Sequence, residues 1–404
     1  MKILYIIHSC IMGGATISFC NLIRGCKENG IDITVVCPYE KNAGVEFLSF
    51  LDRLGCRYIF AHIPSSYISL ISINDKIKFP LRSLRLIIYK TRFYLELKRI
   101  AVIENPDIIH TNTGVVHEGA IVARKMGIPH IWHLREYQLK DFNMHPFPSM
   151  ATFKRLTKNS FTVCITKDIQ KYFGLENYVC SSVIYNPIMP ESIVMDKSSV
   201  QIREPYFLCA NRISCEKGIE DIISAFSQFI RFKPFYKLKI YGFGSESYVN
   251  YLKGLCAENN MTDCVEFLGY ADTNIIYASM KSSKALIVGS YNEGFGRMTA
   301  EANMLGVPVI GRNTAGTKEI LDQTYGGFRF STVEELVRKM KVVAEMNAIQ
   351  ICEFMKEPER RAKELFSTES HVKRMMQLYD KVTGGGYSCR VVCQNSWFSS
   401  LAAA

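Results

Sequence analysis

No stretch of the 404-residue chain approaches the ~20 consecutive apolar residues that a membrane-spanning helix needs, and the run Ile3-Leu4-Tyr5-Ile6-Ile7 stops at His8. That run is shorter than a signal-peptide core and has no small-residue cleavage site behind it, so no leader is expected. Charged residues are few, 22% against 48% hydrophobic, which excludes a disordered or collagen-like polymer. The fourteen cysteines include no Cys-x-x-Cys pair and no Cys/His cluster at zinc spacing. Reduced, mostly buried thiols of a cytosolic protein are expected in place of a disulfide scaffold.

The common nucleotide signatures are missing as well. GRNTAGTK (311–318) has the first spacing of a phosphate loop, but Thr317 precedes Lys318 where a Lys followed by Ser or Thr is required, so ATPase chemistry is excluded. Neither Gly242-Phe243-Gly244 nor Gly294-Phe295-Gly296 is completed by the third Gly of a dinucleotide fingerprint, and NAD binding has no support. Asp-x-Asp is absent, so the expectation is no metal and no cofactor, with any diphosphate charge met by Arg, Lys and helix N-termini.

What the chain does contain is alternation. Short apolar runs, KILYIIH (2–8), IDITVVC (31–37), RYIFAHI (57–63), DIIHTN (107–112), PHIWHL (129–134), FTVCIT (161–166) and SVIYNP (182–187), have helix-length segments between most of them. The pattern restarts with YFLCAN (206–211), KLKIYGFG (237–244), VEFLGY (265–270), ALIVGS (285–290), PVIGRN (308–313) and GFRF (327–330). Strands alternating with helices predict parallel, doubly wound sheets. The expected organisation is an α/β domain over 1–190, a Pro- and Ser-rich linker over 186–205 and a second α/β domain over 205–365. A helix at 366–383 returns to the first domain, and a patternless tail fills 384–404. Two such domains in series would bind a ligand in a cleft at the carboxyl ends of their strands.

Two loops of the second domain carry anion-binding chemistry. NRISCEKG (211–218) follows a strand and presents Arg212 and Lys217, and NEGFGRMT (292–299) follows another strand and opens a helix. Gly294 and Gly296 let backbone N–H groups approach an anion, and the helix dipole adds about half a positive charge. Glu293 and Glu301, separated by seven residues, offer acceptors for vicinal hydroxyls such as those of a ribose or hexose. Each element alone is commonly a solvated surface, but their order after strands of one domain is much less common by chance.

With EGFGRMTAE (293–301), the Arg212/Lys217 pair, the strand end at Gly242 and Gly244 and the segment TAGTKEI (314–320), the chain resembles the GT-B-fold, retaining nucleotide-sugar glycosyltransferases of the "glycosyl transferases group 1" class over residues 1–383. The resemblance implies two Rossmann-like domains facing across a cleft. It implies a nucleotide-diphosphate sugar as co-substrate and transfer of a hexose-type sugar, without a metal, to a glycan or lipid-linked acceptor in bacterial surface-polysaccharide or lipid-linked glycan synthesis. Glu301 would bind ribose hydroxyls and Arg212 and Lys217 the diphosphate. Glu293 with Gly294, Phe295 and Gly296 would hold the donor sugar, and the Arg297, Met298 and Thr299 amides would add to the phosphate site. Gly242 belongs to the same set, and Leu268, Gly269 and Tyr270 would lie against the nucleobase. In the first domain, Met12-Gly13-Gly14-Ala15 matches the Gly-rich loop that approaches the donor phosphate, and His133 of WHLRE (132–136) stands near the donor sugar, its alternative being a structural histidine. Asn112 stands where many relatives carry a second His. A GT-B sugar phosphorylase or epimerase, or a non-catalytic sugar-nucleotide-binding protein, are the alternatives.

The basic excess is uneven. KIKFPLRSLRLIIYKTRFYLELKR (76–99) holds eight Lys or Arg against one Glu, a net +7 of the chain's +11. Read as a helix from Leu81, it puts Arg85, Arg92 and Arg99 on one stripe and Leu84, Ile88, Thr91 and Leu95 on another, the pattern of an interfacial amphipathic helix. The two readings are a peripheral contact with the anionic inner face of a membrane, and a surface helix packed by that apolar stripe with a solvated basic face. No nucleic-acid module accompanies the segment, so a nucleic-acid partner is not expected.

Overall fold

The computed structural model describes residues 1–39, 44–70, 75, 77–188 and 203–384. The chain divides into two units, Met1–Pro187 with the C-terminal helix Thr368–Thr383, and Ile188–Ser367. Most of the expected linker, and the tail from 385, lie outside the described residues.

The strands of the first unit are β1 (Lys2–Ile6), β2 (Asp32–Pro38), β3 (Arg57–Ala61), β4 (Tyr67–Ser69), β5 (Ile108–Thr111), β6 (His130–Leu134), β7 (Met144–Pro146), β8 (Phe161–Cys164) and β9 (Ser181–Val183). Seven form one parallel sheet in the order β3-β2-β1-β5-β6-β8-β9. Because successive side chains point to opposite faces, β1 feeds two cores. Ile3 and Tyr5 pack with Phe19, Leu22, Phe47 and Tyr379 on one face, while Leu4 and Ile6 pack with Phe93, Leu97, Val116 and Val122 on the other. Burial on both faces is why these strands read as unbroken apolar runs. The C-terminal helix closes the first of these layers. Tyr379 Oη lies 2.8 Å from Tyr5 Oη, and a Cβ on Gly25 would fall 2.3 Å from Val372, so the helix Gly14–Glu28 tolerates no side chain there.

The second unit contains β10 (Tyr206–Ala210), β11 (Lys237–Tyr241), β12 (Val265–Gly269), β13 (Ala285–Val288), β14 (Val309–Arg312) and β15 (Gly327–Phe330), all parallel in the order β12-β11-β10-β13-β14-β15. Its core gathers Phe207, Ile222, Phe226, Leu238, Ile287 and Leu336. Both sheets are doubly wound, as the alternation predicts. The sequence reading did not anticipate the antiparallel pair β4 and β7, whose three-residue strands are too short to show a period. The basic helix runs Phe79–Glu104, beginning two residues before Leu81 with Pro80 in its first turn, where the missing N–H is harmless. No helix among the described residues is long and apolar enough to cross a membrane.

Five of the eight histidines, His110, His117, His130, His133 and His371, are buried in the first unit. Burial pushes all five down from the ordinary histidine range, His130 and His371 to about 3. Each stays neutral in the folded chain but takes up a proton below about pH 6.5 when unfolded, so stability is full above that pH and declines below it. Between pH 6.5 and 5 each such histidine costs about 2 kcal/mol. We expect the urea midpoint to fall from pH 7.5 to pH 5 and His130→Gln to flatten part of that slope; a midpoint indifferent to pH over this window would contradict the burial.

Candidate functional site

In a doubly wound sheet a ligand crevice forms where adjacent strands send their loops to opposite faces. In the second unit that point lies between β10 and β13, neighbours in space but not in sequence. The loop 211–218 leaves β10 for the helix Ile219–Phe229, and the loop 289–296 leaves β13 for the helix Arg297–Met304. Arg212, Lys217, Glu293, Gly294, Phe295, Gly296, Arg297, Met298, Thr299 and Glu301 therefore gather at one edge of one sheet.

Backbone contact holds the two loops together. A Cβ on Gly218 would lie 2.3 Å from the carbonyl oxygen of Gly289, and one on Gly289 would lie 2.8 Å from that of Gly218. Gly242 has φ +140°, and a Cβ on it would lie 1.8 Å from the carbonyl oxygen of Asn211. The amides of Asn211 and Ile213 donate to Tyr241 and Phe243 carbonyls at 3.1 and 2.8 Å. In this structure Gly242 thus shapes the loop that carries Arg212. Gly316 does the same for the other loop, its amide donating to the Glu293 carbonyl at 2.8 Å.

The charged side chains of the crest are mutually paired. Lys217 Nζ lies 2.8 Å from Glu293 Oε2, with both side chains largely buried, and Arg212 pairs with Glu216 at the surface. Arg297 Nε donates to Glu301 Oε1 at 2.7 Å, and Glu301 is only 3% exposed. The crest thus brings cations and carboxylates from both loops into contact. Among the described residues no group of His, Cys, Asp or Glu could hold a metal ion.

Two features escaped the sequence reading. Arg312, at the end of β14, donates from Nε to the Gly289 carbonyl at 2.7 Å and pairs with Asp221. Its guanidinium lies 4.2 Å from the Tyr291 ring centroid, and Tyr291 Oη donates to Asp221 at 2.8 Å. This one residue ties the loop of Glu293 to the helix that follows Lys217, and nothing local in GRN signals it, because its partners are distant in the chain. The second feature is Phe243. It and Tyr270 stand 64% and 74% exposed at the ends of β11 and β12, their ring centroids 6.5 Å apart. An aromatic between two glycines after a strand was the available signal.

Gly13 and Gly14 begin the helix after β1, at the corresponding β1/β5 switch point of the first sheet. His133, next to the last residue of β6, has no exposed surface and is stacked between His110 and His371 at centroid distances of 5.6 and 6.2 Å. Arg135, which can only donate, lies 3.4 Å from His133 Nδ1, which places the imidazole proton on Nε2. Arg135 also donates to Asn112 and Asn186, so Asn112 serves as a buried acceptor.

Arg85, Arg92 and Arg99 are exposed on the helix Phe79–Glu104. The stripe read from sequence, Leu84, Ile88 and Leu95, is 58%, 46% and 51% exposed, and the residues that pack are Phe93, Leu97, Ile100 and Ala101. The reading in which that stripe packs on the domain is thereby corrected: the helix carries two apolar stripes, and the other one is buried.

Two doubly wound α/β units in one chain are the fold class of the GT-B glycosyltransferases. Residues 193–364 match the family described as Glycosyl transferases group 1 and residues 12–191 match Glycosyltransferase Family 4; together the two matches span most of the chain, and its class is that of the GT-B glycosyltransferases. The solved structure of the Anabaena protein Alr3699/HepE in complex with UDP is similar with a TM-score of 0.74 and 17% identity, covering 94% of this chain and 100% of that one. The same protein in complex with UDP-glucose gives 0.69 and 19%, with the same coverage. Among curated relatives, an uncharacterised glycosyltransferase of Methanocaldococcus jannaschii is 26% identical over 247 residues, 56% of this chain and 62% of the relative. The phosphatidylinositol N-acetylglucosaminyltransferase gpi3 subunit of Schizosaccharomyces pombe is 23% identical over 283 residues, 68% of this chain and 59% of the relative. The chain spans under two thirds of the length of either relative.

Arg312→Ala frees the Gly289 carbonyl and Asp221, and we expect amide exchange over 289–293 to rise at least ~10-fold while the first unit is unchanged. Arg312→Lys keeps the charge without the flat face over Tyr291 and should restore only part of the protection. Exchange equal to that of the parent chain would mean that the glycine contacts alone hold the loop.

Proposed function

We propose that the chain is a retaining, metal-independent glycosyltransferase that moves a hexose-type sugar from a nucleotide diphosphate to a glycan or lipid-linked acceptor. It works from the cytoplasm at the inner face of a cell membrane, in bacterial surface-polysaccharide or lipid-linked glycan synthesis. The observation that carries this reading is the crest between β10 and β13, where Arg212 and Lys217 stand beside Glu293, Glu301 and the start of a helix. The complexes of the Anabaena neighbour with UDP and UDP-glucose support a nucleotide-sugar donor, and the name of the fission-yeast relative supports a lipid-borne acceptor and a hexosamine-type sugar.

Breaking the anomeric C–O bond puts negative charge on the leaving phosphate and positive charge on the sugar ring. Arg212, Lys217 and the amides of Arg297–Thr299 meet the former. As Lys217 turns one of its three N–H donors to a phosphate oxygen its hold on Glu293 loosens, and that carboxylate becomes free to accept from donor-sugar hydroxyls while Glu301 accepts from the ribose. Tyr270, with Phe243, lies against the base. Attack on the front face, assisted by the departing phosphate oxygen, keeps the anomeric configuration and needs no covalent nucleophile from the protein. The outward-facing Leu84, Ile88 and Leu95 beside Arg85, Arg92 and Arg99 suit an anionic membrane surface.

Titration calorimetry with UDP-, GDP- and ADP-sugars, followed by product analysis, tests the donor. One nucleotide sugar should bind, Glu301→Ala should weaken it at least ~10-fold, and Arg212→Ala and Lys217→Ala should each slow transfer about a hundredfold, ~3 kcal/mol. EDTA should leave the rate unchanged. Transfer to inorganic phosphate, or epimerisation without an acceptor, would favour a phosphorylase or epimerase, and binding of no nucleotide sugar would sink the reading. In a liposome co-sedimentation assay, reversing Arg85, Arg92 and Arg99 to Glu together should weaken binding to anionic vesicles, and undiminished sedimentation would leave the helix as a solvated face.

A further inference from the structure

The first unit contains a cavity of about 370 Å³, a size usual for small-ligand sites, and nothing in the donor chemistry uses it. Eight of its twelve lining residues are apolar, among them Ile68 and Leu70 at β4, Phe147 and Met150 after β7, and Phe79. Such a wall cannot satisfy a sugar or nucleotide, whose hydroxyls and phosphates need many polar partners. It suits a hydrocarbon. One lining residue carries a full charge, Lys154. Phe79 is also the first residue of the basic helix, so the cavity adjoins the turns where Leu81, Leu84, Ile87 and Ile88 are all at least 46% exposed. No residue of that helix is buried before Phe93. An apolar recess with one ammonium in its wall, beside an apolar and cationic helix face, suits a lipid with a hydrocarbon tail and an anionic head.

We propose that this cavity takes up one acyl chain of an anionic membrane phospholipid, with Lys154 at its headgroup phosphate. The proposal extends the membrane reading above, on which the source of the lipid rests, but it makes a distinct claim: a stoichiometric lipid site within one unit, in addition to adsorption on a charged surface.

The test uses the full chain and monomeric single-chain lipids below their micelle concentrations, in the absence of vesicles and nucleotide sugar. Calorimetry with palmitoyl-lysophosphatidylglycerol should give saturable one-to-one binding, at least ~10-fold tighter than palmitoyl-lysophosphatidylcholine. Met150→Trp and Leu70→Trp, two independent ways to fill the cavity, should each weaken both lipids at least ~10-fold in folded protein. Lys154→Glu should abolish the preference for the anionic head and leave the lysophosphatidylcholine affinity as it was. The Arg85/Arg92/Arg99 reversal should change monomer binding less than ~3-fold, since those charges are placed on the surface and not in the cavity. Absence of saturable binding, or affinity unchanged in both filled variants, would overturn the proposal. Because no donor is present, such a result leaves the glycosyl-transfer reading standing, and failure to bind nucleotide sugars leaves this one standing.

Discussion

The contact between Gly218 and Gly289, which has no room for a Cβ on either side, is the constraint from which the second unit's site follows. β10 and β13 are hydrogen-bonded neighbours whose loops depart to opposite faces of the sheet, and side chains at those positions would force the loops apart. With the backbones touching, Lys217 and Glu293 come within 2.8 Å, although each belongs to a different βα unit. Arg312 then locks the geometry from a third strand, using its planar fork for a carbonyl and a carboxylate and its face for Tyr291. The glycines permit the arrangement, and the arginine selects one version of it.

The first unit has the same winding but a different use of polarity. Its sheet ends in a buried, hydrogen-bonded cluster of Tyr5, Tyr379, His110, His133 and Arg135, where the only fixed charge is shared among neutral acceptors. Desolvation keeps the imidazoles uncharged, which is what allows them to stack. The cluster also fastens the C-terminal helix to β1, so a segment near the end of the chain stabilises the strand at its beginning.

Sequence pattern made most of the fold legible, for a physical reason. Strands buried on both faces have to be continuous runs such as ALIV and KILYI, and parallel connections have to carry a helix between them. The crest between β10 and β13 was legible because its groups are clustered in two short segments, 211–218 and 292–301. Arg312 was not, because its contacts with Gly289 and Asp221 exist only after β14 is laid beside β13. The helix Phe79–Glu104 misled in another way. With Leu81, Leu84, Ile88 and Leu95 on one side and Phe93, Leu97 and Ile100 on another, it carries two apolar stripes, and periodicity cannot say which of them finds the core. The rings that enclose His133 at the carboxyl end of β6 were not legible either, because His110 and His371 reach it from other parts of the chain.

The ion pair between Lys217 and Glu293 has a consequence for selectivity among anions. Under the proposed chemistry a free phosphate, or a nucleoside diphosphate stripped of its sugar, would draw Lys217 away at the expense of a largely buried carboxylate. A whole nucleotide sugar would bring its own hydroxyls to that carboxylate and so compensate for the loss. Under the proposed chemistry the same asymmetry acts after transfer: once the sugar has gone, Glu293 turns from a ligand of the donor into a competitor of the product for Lys217. The paired state of the resting protein would then favour release of the spent nucleotide, with no moving part beyond one ammonium changing partners.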